Sequence, residues 1–276
     1  MPRRSKKGPD TFLELPDEQS SEVIIVKHGD TVLDVKDQET GTEQHYRCSR
    51  AVLRNSSEYF AVLFDPEKFS EGKAIEAKLQ ELYTQYDGSI PSSKLPRVTI
   101  SDVGELPKAG ASTKTVVTLF LKILHEPTTP WPVKRSQSIN RVALLAIVAD
   151  RFGAHALIAV YLRRHELDVT LLKDRKMSGP YKHELANRQR LLAGMVFGFP
   201  QWVLQCSAAL IIDGPSDRTH QKLHSSDEDS KNDNDALWWR LPGGLEGIGS
   251  GVFVDYRSLA VLTMQQTRYS ADVNMY

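Results

Sequence analysis

Short runs of β-branched residues alternate with turns near the start of the chain. Val23–Val26 and Thr31–Val35 are separated by Lys27–Asp30, and a Gly-Asp pair between two such runs is a signal for a β-hairpin. Tyr46–Cys48 follows a turn at Gly41 and indicates a third strand. The pattern therefore predicts a small mixed sheet in which the first two runs form a hairpin.

A helical spacing of apolar residues follows this sheet. Ser49 stands where a strand leads into a helix, which is the position of an N-cap residue. Asn55 is predicted to cap the next helix, because Glu58 follows it with the spacing of a capping box. That helix is predicted to end at Pro66. Its predicted buried face consists of Tyr59, Phe60, Leu63 and Phe64.

Further helices are predicted wherever apolar residues recur at intervals of three and four. A fourth strand is predicted at Val98–Ile100. The predicted helices are Lys73–Tyr86, Thr115–His125, Val142–Phe152, Ala156–Arg164, Glu184–Phe197, one that starts near Pro200 and a last one over Tyr256–Gln266. Together with the strands, they predict an α+β fold.

Polar segments lie at the start of the chain and towards its end. Residues 1–22 are predicted to be a disordered tail, and residues 215–236, almost without apolar side chains, a disordered linker. The adjacent Trp238 and Trp239 are interpreted as an anchor for the C-terminal segment. A basic tip, which could act as a nuclear import signal, is formed by Arg3, Arg4, Lys6 and Lys7.

Composition argues against several classes of protein. The 35 Lys and Arg residues balance 35 Asp and Glu, so nucleic acid is not expected as a partner. No apolar run reaches the ~18 residues that a membrane span needs. Two cysteines cannot form a disulfide framework in 276 residues, which favours a reducing compartment, the cytoplasm or the nucleus. A basic excess over residues 133–190 and an acidic run over 225–235 are expected to attract each other.

No group of residues in the sequence supports catalysis, a cofactor or a metal ion. The glycine cluster at 243–251 matches a dinucleotide-binding loop only loosely, since no strand leads into it. His220 and His224 have the spacing of a zinc-binding pair, but the surrounding segment is polar and predicted to be unstructured. Cys48 falls in a predicted strand and Cys206 on an apolar helix face, so core packing is expected for both.

Short motifs follow one another in a defined order between residues 29 and 162. They are a Gly-Asp-x-x-Leu-x-Val strand, a strand that leads into a helix ending in Val-Leu, a Ser-x-x-Phe pair with a trailing Leu-Phe, and a Phe-x-Glu-Gly turn. The matching residues are Gly29, Asp30, Leu33, Val35, Tyr46, Cys48, Val52, Leu53, Ser57, Phe60, Leu63, Phe64, Phe69, Glu71 and Gly72. Val98–Ile100, Phe120–His125 and Ala146–Leu162 follow in the same order. In its order and spacing of motifs, this part of the chain resembles a BTB/POZ domain of the type found in filamentous fungi.

The resemblance implies how the chain is divided. It implies a BTB/POZ-like domain over residues 23–167, in which a small mixed sheet is flanked by a helical cluster. Residues 73–97 are an insertion relative to the family pattern, and residues 168–276 are a mostly helical C-terminal extension. The histidine that usually opens the first short helix in this family is replaced here by Ser49 or Arg50.

The resemblance also implies how the chain would bind other proteins. Some members of the family bind a cullin scaffold through an apolar-x-Glu motif and act as substrate adaptors of ubiquitin ligases. Phe69-Ser70-Glu71 has this form, in which an exposed apolar anchor fills a pocket and the carboxylate fixes the orientation. The alternative is that Phe69 packs beneath its loop and Glu71 is solvated. Members of the family also self-associate as homodimers through the N-terminal strands and first helices.

The sequence thus predicts a protein–protein interaction module that is not an enzyme and needs no cofactor. Two further functions stay open. One is a nucleotide-binding or small-molecule-binding enzyme that uses the glycine cluster at 243–251. The other is a nuclear regulatory protein that uses the basic tip.

Overall fold

The computed structural model describes residues 22–37, 40–87, 90–104, 106, 112–132, 135–173 and 180–213. The strands of this part are Glu22–Ile24 (β1), Thr31–Lys36 (β2), Glu43–Cys48 (β3) and Arg97–Ile100 (β4). Its helices are Arg50–Ser56 (α1), Glu58–Leu63 (α2), Ser70–Gln85 (α3), Thr113–His125 (α4), Arg135–Arg151 (α5), His155–Arg164 (α6), Leu167–Lys173 (α7), Pro180–Phe197 (α8) and Pro200–Asp213 (α9). The predicted combination of a small sheet with a helical cluster is confirmed.

Several sequence predictions concern residues outside these ranges. They are the basic tip, most of the predicted tail over 1–22, the linker over 215–236 and the helix over 256–266. The glycine cluster and the paired tryptophans also lie outside the described residues. The predicted tail is one residue too long, because Glu22 already belongs to β1.

The four strands form one mixed sheet in the order β1-β3-β2-β4. β2 and β3 are antiparallel, with Thr31 opposite Cys48. β1 is parallel to β3, and β4 is parallel to β2. The hairpin in this sheet is therefore β2–β3, and the predicted hairpin between residues 23–26 and 31–35 is wrong.

The Gly-Asp pair at 29–30 lies in a crossing between strands. After β1, the backbone N–H groups of Ile25 and Val26 donate to the Arg47 carbonyl at 3.0 and 3.2 Å, which bends the chain over the end of β3. A Cβ on Gly29 would lie 2.6 Å from the Cys48 carbonyl oxygen, so only glycine fits there. β2 then starts on the other side of β3. The turn was predicted correctly, but the two strands that flank it do not pair with each other.

The main core lies between one face of the sheet and helices that include α1, α2, α4 and α5. Leu33 of β2 and Tyr46 of β3 point into it. At its centre the Phe152 ring stacks on Phe60, with 5.2 Å between ring centroids. It also stacks on Phe120, at 5.5 Å. These aromatic contacts join parts of the fold that are distant in sequence.

Serine side chains cap α1 and α2. Ser49 caps α1 as predicted. Ser57 caps α2: its Oγ accepts the N–H of Phe60 at 3.2 Å and donates to the Phe152 carbonyl at 2.6 Å. The prediction that Asn55 caps this helix is wrong, because that residue lies within α1. Ser57, which comes next after α1 ends, has the extended backbone that an N-cap requires.

Side chains of α3 belong to two apolar clusters, one on each face of the sheet. Ile75 and Leu79 join the main core. Leu82 packs instead with Val32, which points to the opposite face because alternate residues of a strand face opposite sides. This second, smaller cluster is completed by Ile90 and Leu95.

The helical prediction over Lys73–Tyr86 is confirmed, although α3 already begins at Ser70. The segment interpreted as an insertion, residues 73–97, therefore consists of most of α3, the loop after it and the first residue of β4. Its role in the fold is to cover part of the sheet face that the main core leaves open.

Helices α7 to α9 follow the predicted domain boundary at 167. This boundary falls at the first residue of α7, a seven-residue helix that the apolar pattern did not predict. Phe197 and Trp202, beyond the boundary, belong to the same core as α5 and α6. A Cβ on Gly194 of α8 would lie 2.9 Å from the Trp202 Cβ of α9, so glycine permits the close contact of these two helices.

Within the described ranges, no helix is both long enough and apolar enough to cross a membrane.

Candidate partner-binding site at the start of α3

The turn between α2 and α3 is organised by Asp65. α2 ends at Leu63, earlier than the end predicted at Pro66. The Asp65 carboxylate accepts the backbone N–H of Glu67 at 3.0 Å, and the Asp65 carbonyl accepts that of Phe69 at 3.2 Å. These bonds fix the backbone that carries Phe69. Asp65 was not among the predicted site residues, although Asp-Pro is a typical turn signal.

Phe69 lies at the end of this turn with its side chain partly exposed. It is the N-cap residue of α3, with φ −132° and ψ 142°, and its side chain makes no capping bond. Its exposed fraction is 46%. The ring is therefore partly covered by its loop and partly accessible to a partner. An apolar ring on a fixed backbone can bind a pocket with little loss of conformational entropy.

Glu71 follows in the first turn of α3 and is also exposed. The Ser70 hydroxyl donates a hydrogen bond of 3.1 Å to its Oε2. The positive end of the helix dipole favours a carboxylate at this position. The structure therefore places both predicted site residues, Phe69 and Glu71, at the same helix start, with both side chains accessible.

Gly72 holds this helix start against the preceding turn. A Cβ at this position would lie 2.7 Å from the Asp65 carbonyl oxygen, so the close approach requires glycine. One turn further along, Glu76 forms an ion pair with Arg50 of α1. The Phe-x-Glu-Gly motif thus combines two exposed side chains with the residue that docks their helix.

A second polar cluster lies on the sheet face opposite the main core, and the sequence analysis did not identify it. Asp34 of β2 is only 6% exposed. Its Oδ1 lies 2.7 Å from Nδ1 of His45 on β3 and 3.2 Å from Nη1 of Arg97 on β4. The cluster links three adjacent strands and neutralises a buried carboxylate. Its role is therefore to stabilise the sheet.

The cysteines have the environment that was predicted for them. Cys48 and Cys206 are both buried, and neither forms a disulfide. Burial raises the pKa of Cys206 to about 11 and also raises that of Cys48, so both thiols stay protonated at neutral pH. Among the described residues no group of three or more His, Cys, Asp or Glu side chains could hold a metal ion. The pair His220 and His224 lies outside that part.

His125 links the end of α4 to the start of α1. Its Nδ1–H donates to the Leu121 carbonyl at 2.8 Å, and its Nε2 accepts the backbone N–H of Ser49 at 3.1 Å. Only the neutral imidazole can make both bonds. Burial lowers the pKa of His125 from its ordinary 6.5, against the opposing influence of the hydrogen bond to Leu121 and of Glu126 and Asp30.

This arrangement predicts a pH-dependent stability. The unfolded chain takes up a proton on His125 near pH 6.5, whereas the folded chain takes it up only at lower pH. The stabilisation is therefore complete above pH 6.5 and is lost as the pH falls, with a slope of at most about 1.4 kcal/mol per pH unit. Urea unfolding across this range measures it. His125→Gln should flatten the profile, and a profile unchanged by that substitution would refute the assignment.

No protein-family model matches this sequence, and no curated protein matches it.

Proposed function

We propose that this chain is a protein–protein interaction module of the BTB/POZ type, without enzymatic activity, which binds a cullin-type scaffold through Phe69 and Glu71. The observation that carries the proposal is the exposure of the Phe69 ring on a turn that Asp65 fixes. A partner pocket would bury the ring, and the carboxylate of Glu71 would set the orientation. The chain would act as a substrate adaptor in the cytoplasm or nucleus.

The positions of the motif residues in the fold support the family resemblance. Gly29 allows the crossing into β2, and Ser57 caps α2 while bonding to Phe152. Gly153, from the later motif, has φ +59° and its carbonyl accepts the N–H of Glu58 at 3.4 Å. Residues that resemble the family at distant points of the sequence therefore meet in space.

The order of the elements supports it as well. The hairpin β2–β3 leads into the short helices α1 and α2, and β4 returns to pair with β2 before α4. The resemblance implies this succession of strand, short helices, strand and helix. The departure is the segment 73–97, which contains most of α3 and covers part of the sheet.

The energetics are consistent with Phe69 as an anchor. Full burial of a phenylalanine side chain contributes about 1.5–3 kcal/mol, and roughly half of this one is still exposed. An interface of standard size removes about 1,600 Å² of surface, so the ring can supply only part of the affinity. The polar exposed residues of α3 would then form the rim around it.

Hydrogen exchange of the full chain, alone and with the N-terminal domain of a cullin, tests where the partner binds. We expect slower exchange over residues 64–75 on addition of the cullin, with no slowing over α6. Slowing confined to other parts of the chain would refute the proposed site. Unchanged exchange throughout, at saturating cullin concentration, would refute cullin binding.

Self-association is a second candidate function, and the edge strand β1 favours it. β1 is the terminal strand of the sheet, and Ile24 on it is 60% exposed. An edge strand has unpaired backbone groups on its outer side, and Ile24 adds an exposed apolar side chain for contact with a second copy. We expect Ile24→Lys to weaken dimerisation at least about tenfold in sedimentation experiments, whereas Val160→Lys should not. Equal dimerisation of the two variants would exclude β1 as the interface.

A further inference from the structure

The last described helix, α9, carries apolar residues on two sides. One face packs against the rest of the protein through Trp202, Val203 and Cys206, all of which are buried. Leu210 continues this face and packs against the same cluster as α8. This stripe is sufficient to hold α9 in place.

The opposite side of α9 also carries apolar residues, between Gln201, Gln205 and Ser207. Leu204 is 48% exposed, and Ala208 is half-buried one turn later. Ile211 is the next residue at this i, i+4, i+7 spacing, which places all three positions on one helix face. No charged residue occurs in the helix before Asp213. A single exposed leucine needs no explanation, but an apolar row along a helix indicates a covered surface.

We propose that this row is covered by residues 237–241 of the same chain, with Trp238 and Trp239 as the anchors. Tryptophan offers the large apolar area that such a row can bury. Residues 215–236 are almost without apolar side chains, so 237–241 is the first segment after α9 that can cover it. The inference is independent of the binding site at α3.

The length of the connecting segment fits this proposal. A flexible chain as long as residues 214–237 has a root-mean-square span of about 27 Å. The 14-residue α9 is about 21 Å long. Leu204 therefore lies within reach of a segment tethered at Asp213. Such a tether gives an effective concentration on the order of millimolar, so weak contacts suffice.

Hydrogen exchange on the full chain tests the proposal. We expect the amides of residues 237–241 to exchange about tenfold more slowly than those of residues 225–235. Leu204→Gln combined with Ala208→Gln should remove this difference. Glutamine keeps a high helix propensity, so α9 should persist. The control Val160→Gln changes an equally exposed apolar residue on α6 and should leave the difference intact.

Each outcome decides the proposal. Slow exchange over 237–241 that is lost only in the α9 variant, and that is independent of protein concentration, supports it. Slow exchange that disappears on dilution would overturn it, because a second copy would then cover the row. Equal exchange of residues 237–241 and 225–235 in the parent chain would also overturn it. Protection of α5 amides in every variant shows that the fold is intact.

Discussion

Replacing Phe152 with alanine should lower the free energy of unfolding by about 3–5 kcal/mol. Its ring stacks on those of Phe60 and Phe120 and meets the edge of Tyr59, with 5.2 Å between the centroids of Phe152 and Tyr59. Truncation to alanine leaves a cavity between α2, α4 and α5 that such closely packed elements cannot fill. Because small domains are stable by only about 5–15 kcal/mol, this loss is a large fraction of the total.

Chemical denaturation of the parent and variant chains measures this effect. Val160→Ala is the matched control, since that side chain is 55% exposed and its loss should change stability by less than about 0.5 kcal/mol. A loss below about 1 kcal/mol for Phe152→Ala would contradict the placement of this ring at the centre of the core.

The helices were predicted well because their signal is local and periodic. The apolar residues of α4 and of α5 recur at helical spacing, and most of them are buried against the sheet or the neighbouring helices. α7 was not predicted because its apolar residues, Leu167, Val169, Leu171 and Leu172, are not confined to one helix face. Leu171 is nevertheless buried in the main core.

Strand pairing could not be deduced in the same way. The runs at 23–26 and 31–35 and the glycine between them are genuine local features, but pairing depends on where β3 lies. The helix cap is a similar case. Asn55 and Ser57 are both good N-cap residues, and the distant carbonyl of Phe152, which accepts a bond from Ser57 Oγ, is not visible in the local sequence.

The candidate site could likewise be predicted only in part from the local sequence. The motif identified Phe69 and Glu71, and Asp-Pro could have indicated the turn that holds them. Whether the ring faces solvent depends on how α3 docks, through Gly72 and the ion pair of Arg50 with Glu76. The cluster of Asp34 with His45 and Arg97 was missed for a related reason: it joins three strands whose neighbour relations were not known.

Replacing both Phe69 and Glu71 with alanine should weaken cullin binding about thirtyfold or more. Loss of a central anchor typically costs at least about 2 kcal/mol of binding free energy, which corresponds to this change in affinity. Both side chains are exposed, so their removal should leave the fold intact. The matched control is Val160→Ala with Asp150→Ala, which removes one exposed apolar side chain and one exposed carboxylate from α6 and α5.

The titration of the purified full chain with a cullin N-terminal domain tests the central claim most directly. We predict saturable binding for the parent chain and the control double variant, with dissociation constants within about twofold of each other, and a large loss for the double variant at Phe69 and Glu71. Equal affinity of the two double variants, or no saturable binding by the parent chain, would contradict the account.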